Sequence, residues 1–148
     1  METKIVDEYI YTGLLFPIKL EHVEMVFLDN EWHPKIDVIK ISEKVIRQLI
    51  TVPNKLTGNQ IKFIRNYFNM SLRKFADTVV NETHNCVAKW EKFGDEPTKM
   101  DFNTEQSIRL FICEKTSDKN DFYEKYLSIR NLASKGLSDN AVLLDNVS

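Results

Sequence analysis

The run MSLRKFADTVVNETHNCVAKWEKFG, Met70 to Gly94, decides how the rest of the chain is read. Ser71 is a residue type that caps helix N-termini, and Leu72, Phe75, Ala76 and Val79 follow at the three- and four-residue spacings of one buried helix face. Asn81 to Thr83 is a polar break. In the second short helix Val87 and Trp90 are expected to point inward, with His84, Asn85, Ala88 and Lys89 on the opposite face and Gly94 as the stop. Two short helices across a tight polar turn are the sequence form of a helix-turn-helix, and the small Ala76 suits the close approach of the second helix to the first.

Working outward, LTGNQIKFIRNYFNM before this run begins with Thr57 as a cap and Gln60 as its reciprocal partner three residues on. Ile61, Ile64, Tyr67 and Phe68 make the inner face of that helix, and Asn69 suits its end. Further upstream, Val38, Ile41, Val45, Ile46, Leu49 and Ile50 predict an amphipathic helix capped by Asp37 and stopped by Pro53. Tyr9 to Trp32 carries β-branched and aromatic runs broken by Gly13, Glu21-His22 and Asp29-Asn30, which predict two or three strands in a hairpin or meander, with Pro17 at an edge or bend. After the loop Asp95-Glu96-Pro97, Asn103 or Thr104 is expected to cap a helix with Ile108, Phe111 and Ile112 inside. A last helix, from about Asp121 to Ser134, would carry Phe122, Tyr126 and Ile129, with Tyr123 and Leu127 as further candidates for that face. The tail SDNAVLLDNVS has no period; a mobile end and docking of Val142-Leu143-Leu144 on a partner are both open.

The fold class expected is α+β, mainly α: residues 1–53 form a β-containing module with one helix, residues 54–116 a helix-turn-helix bundle, and residues 117–148 a C-terminal helix and tail suited to dimerisation. The 148 residues, 43% of them hydrophobic, can bury a core. No apolar run approaches the ~20 residues needed to span a bilayer, and METKIVDE lacks the layout of a signal peptide, so a cytoplasmic location without membrane contact is expected. Cys86 and Cys113 have no paired spacing and are expected to be reduced thiols. The net charge of −2 is not that of a strongly basic nucleic-acid protein, but it is unevenly spread. Thr57 to Gly94 carries six basic and three acidic residues, whereas the first 55 residues carry seven basic and nine acidic. Four glycines are too few for a phosphate-cradling loop, and His84 and Cys86, two apart on a helix, face different ways. The pattern implies no enzyme, catalytic residue, cofactor or metal.

From about Leu56 to Lys115 the chain resembles the helix-turn-helix domain of phage repressors and XRE-type bacterial regulators, whose core runs roughly S-x-x-x-[LF]-A, a turn, then a helix ending [IW]-E-x-x-G. Ser71, Phe75, Ala76, Val87, Trp90, Glu91 and Gly94 occupy those places. Between Ala76 and Val87 this chain is one residue longer than the commonest spacing. A similar extra residue, and a short β-containing part before the DNA domain, are features of MqsA-like antitoxins of type II toxin-antitoxin modules. Those usually hold zinc through N-terminal cysteines, and this chain has none there. The resemblance implies a DNA-binding regulator in which Arg65 pairs with Glu91 as a structural ion pair, since a partly buried Glu91 needs a cation.

Base reading requires donors and acceptors on the first turns of the recognition helix, which makes Thr83, His84, Asn85 and Lys89 the candidates: Asn85 for adenine, Lys89 for guanine, Thr83 or His84 for a base or phosphate. The glutamine that the family often uses early in the preceding helix is replaced by Leu72. Phosphate contacts are expected from the helix starts at Thr57, Asn59 and Ser71 and from Arg73, Lys74, Lys92, Thr98 and Lys99. The expected partner is a double-stranded DNA operator bound by a homodimer, as a repressor. In a narrower version the chain is an antitoxin whose N-terminal module binds a cognate toxin. The alternative, suggested by Leu72, the extra turn residue and the near-neutral charge, is a protein-interaction module with a helix-turn-helix fold that no longer binds DNA.

Overall fold

The computed structural model describes residues 2–145 and is α+β: among the described residues it has a three-stranded antiparallel sheet and six helices. Contacts divide the chain into two units, Met1–Val45 with Leu143–Ser148, and Ile46–Val142. The division falls inside a helix, whereas the sequence punctuation lies at Pro53.

In the first unit, β1 (Thr3–Tyr11), β2 (Ile18–Leu28) and β3 (Glu31–Pro34) form a meander in the order β1-β2-β3. Asp29 and Asn30 both have positive φ, 52° and 64°, the backbone that a tight two-residue hairpin demands and that these residue types tolerate. Alternation along β2 changes phase at His22. Ile18 and Leu20 are buried before it and Val23 and Met25 after it, because His22 takes φ 53° and its pairing with Asp7 is skipped in the register. The tail is seated on its own chain: Leu144 is buried, forms a parallel bridge with Ile18, and its carbonyl accepts from Lys19 N–H at 2.9 Å. Helix α1 (Val38–Gln48) is capped by Asp37, whose Oδ1 accepts from Lys40 N–H at 3.2 Å.

The second unit contains α2 (Gly58–Tyr67), α3 (Leu72–Phe75), α4 (His84–Glu91), α5 (Phe102–Thr116) and α6 (Lys119–Lys135). Thr57 and Gln60 form a complete capping box on α2, and Asn69 beyond its end has φ 57°. Helix α3 passes directly into a π-helical turn, Ala76–Val80, closed by Asn81 at φ 52° with its N–H on the Ala76 carbonyl. One wide turn thus carries the chain from α3 to Asn81. It also moves the inner face: Phe75, Ala76 and Val80 are buried, while Leu72 and Val79, expected inside from helical spacing, are only half-buried. Caps lie earlier than the sequence suggests, with Asp101 Oδ1 accepting from Thr104 N–H at 2.8 Å for α5 and Asp118 capping α6. On the apolar face of α6, expected from the sequence to supply the dimer contact, Ile129 is buried, with Leu132, while Phe122, Tyr123 and Tyr126 are exposed.

One buried ion pair ties the second unit together. Arg109, 1% exposed, donates from Nη1 to the carbonyls of Leu49, Ile50 and Val52, and from Nη2 to Asn54 O and Glu105 Oε1 at 2.8 Å each. Glu105 Oε1 also accepts from Leu56 N–H at 3.1 Å. The guanidinium therefore satisfies the carbonyls freed where α1 ends and the chain turns toward α2. Burial pulls its pKa down, opposed by the Glu105 carboxylate.

Candidate nucleic-acid interface

Helix α4 is held from behind. Val87 is fully buried and Trp90 nearly so, α3 and its π turn pack on it, and its closing residue Glu91 is gripped by α2. Arg65 Nε donates to Glu91 Oε2 at 2.8 Å, Nη2 to Oε1 at 3.0 Å, and Nη1 to the Met70 carbonyl at 2.9 Å. This two-pronged pair, with side chains 15% and 11% exposed, fixes the end of α4 to both α2 and the segment leading into α3. Gly58 completes the junction: a Cβ there would lie 2.5 Å from Trp90 O, 2.7 Å from Gly94 N and 2.9 Å from Glu91 O. Only a residue without a side chain lets α2 start against the last turn of α4.

The free side of α4 carries the four residues expected to read bases. Thr83, Asn85 and Lys89 are exposed and His84 is half-buried. Asn85 and Lys89, four apart, share one face. Thr83 also caps the helix, its Oγ1 accepting from Cys86 N–H at 3.2 Å, which leaves the hydroxyl hydrogen available. Cys86 is half-buried; burial, then the nearby Glu82, push its thiol pKa up, so it stays protonated rather than nucleophilic.

The expected phosphate contacts divide sharply. Ser71 caps α3, accepting from Lys74 N–H at 3.1 Å, and Ser71, Arg73, Lys74, Lys92 and Lys99 are all exposed. Thr57 and Thr98 are not available: they are 3% and 2% exposed. The Thr57 hydroxyl accepts from Gln60 N–H, and Thr57 bridges to Pro97, which seals both threonines inside. The α2 N-terminus is likewise closed from within, because Gly58 N–H donates to Glu96 O and Asn59 N–H to Gly94 O. The Asn59 side chain is tied to Asp95 Oδ1 at 2.9 Å. A loop that folds back over a helix start consumes the amides an anion would need.

Two features of the second unit go beyond the sequence expectations. Gly58 stands in the sequence as part of a capped helix start, and its packing role comes only from the approach of α4. Glu105 and Arg109 do carry a signal, since four-residue spacing puts them on the stripe of Ile108 and Ile112. No protein-family model, curated protein or solved structure matches the chain.

Proposed function

We propose that the chain is a cytoplasmic, sequence-specific DNA-binding regulator of the XRE and phage-repressor type, built as a β-containing module followed by a repressor-like helical bundle and acting as a homodimeric repressor. The observation that carries this is the two-sidedness of α4: Val87 and Trp90 are buried on the side of the Arg65–Glu91 clamp, while Thr83, Asn85 and Lys89 are exposed, as are Ser71, Arg73 and Lys74 of the preceding helix. Donors and acceptors on the outer face of a rigidly backed second helix are what reading a major groove requires. The narrower form, in which the chain is the antitoxin of a toxin-antitoxin module, rests on the resemblance alone.

A second reading has its own support. The sealed threonines and the occupied α2 N-terminus remove phosphate contacts, and Leu72 stands where the family often has a glutamine. These favour a helix-turn-helix kept for protein contact. Selection of duplexes from a random pool separates the two. For DNA binding we expect an enriched palindrome, affinity that falls steeply with salt, and loss of ~10-fold or more on Asn85→Ala with Lys89→Ala, at ~1–3 kcal/mol for each good base contact. No enrichment, or binding untouched by that double change, overturns the assignment.

A further inference from the structure

One open surface of the first unit is β1. It is an edge strand in the order β1-β2-β3, and all nine of its residues are exposed or half-buried, with Ile5 70% and Ile10 49% exposed. An edge strand is ordinarily guarded by proline, by outward lysines or by a covering element. β1 has no proline, and its one lysine, Lys4, lies over the Trp32 ring at 4.2 Å. The skipped Asp7–His22 pair divides the edge into two runs, Thr3–Val6 and Glu8–Tyr11. In the first run Phe27 N–H bonds to the Glu2 carbonyl, so the alternation of an antiparallel ladder turns the main-chain groups of Thr3 and Ile5 outward.

Charge says what can pair there. Residues 1–31 carry seven acidic side chains and two lysines, a net −5. Lys19 is already engaged with Glu8 at 3.0 Å. A second copy would bring the same excess of negative charge to the same edge, which disfavours self-pairing. We propose that the β1 edge is a docking site for an extended, lysine- or arginine-bearing segment of another protein, which adds a strand beside Thr3–Val6. Its main chain bonds the outward groups of Thr3 and Ile5, its apolar side chains cover Ile5, and its cations meet Asp7 and the acidic meander.

The test uses the full chain, isotope-labelled for NMR, and as probe a nonapeptide of alternating lysine and valine. The expected result is amide shift changes concentrated in Thr3–Tyr11, intermolecular contacts from the valines to Ile5, and an affinity that weakens as salt rises. Ile5→Pro removes an outward N–H without breaking the ladder to β2 and should abolish binding. Asp7→Lys, which leaves the backbone unchanged, should weaken it by about fivefold at low salt. The proposal is overturned if the β1 amides do not respond or if a peptide of alternating glutamate and valine binds equally. It is also overturned if neither variant weakens binding, or if self-association of the free chain in sedimentation is lost in Ile5→Pro. None of these outcomes depends on whether α4 binds DNA.

Discussion

Replacing Gly58 by alanine sets two opposed effects against each other, and the structure decides the sign. Alanine in place of glycine in a helix ordinarily stabilises by about 0.8–1.0 kcal/mol. Here the added carbon would meet Trp90 O at 2.5 Å, and reaching ordinary contact at 3.4 Å requires α2 and the end of α4 to part by about 0.9 Å. The obstructing atoms are all main chain, so no side chain can rotate away. Moving them strains the Asn59–Gly94 hydrogen bond at 2.8 Å and the clamp between Arg65 and Glu91. Forcing a methyl into a closed contact costs about 1–3 kcal/mol, and in backbone against backbone the upper part of that range applies. The expected balance is a loss of about 1–2 kcal/mol, seen as a melting temperature lower by about 3–8 °C in calorimetry and a lower urea midpoint with unchanged slope. Gly94 is the control. It has φ 61°, and a Cβ added there would meet nothing within 4 Å, so Gly94→Ala suffers from backbone alone, and Gly94→Asn should recover most of the loss. A Gly58→Ala protein that melts at or above wild type would refute the packing of α2 on α4 described above.

Three other outcomes follow from the buried polar groups. Arg65→Lys keeps the charge but loses the fork to Glu91 and the bond to Met70 O, and should lower stability by about 1–3 kcal/mol in urea unfolding. Arg109→Leu strands four carbonyls and the Glu105 carboxylate in the interior, for a loss of about 3–5 kcal/mol by the same measurement. Thr98→Val should be neutral or stabilising by calorimetry, because the Thr98 hydroxyl is buried without a hydrogen-bond partner among the described residues.

Local signals carry the elements. The Thr57 and Gln60 pair, Ser71, the Asp29-Asn30 turn and the period of α1 each act within a few residues of themselves, and sequence spacing displays them directly. Asp101, Asn103 and Thr104 are all capping residue types, and the choice among them depends on where the Thr98–Leu56 bond brings the chain. The inner face of α3 is displaced by one residue because helical spacing assumes a constant turn, which the π turn breaks. At the site, the exposed face of α4 follows from the burial of Val87 and Trp90 on the other side. What closes the α2 N-terminus comes from Gly94 and Glu96, more than thirty residues away, and no pattern local to Thr57 contains it.

The seat of Leu144 beside Ile18 bears on how the molecule is made. Nearly the whole described chain is synthesised between the two halves of that contact. During translation β2 leaves the ribosome with the flank beside Ile18 open, and its neighbour arrives only after every helix has been made. The sheet, translated before the helices, is therefore the last able to complete its native pairing, and closing so long a loop is entropically slow. A chain cut after α6 would carry all six helices and an unfinished sheet, the species most exposed to wrong strand partners.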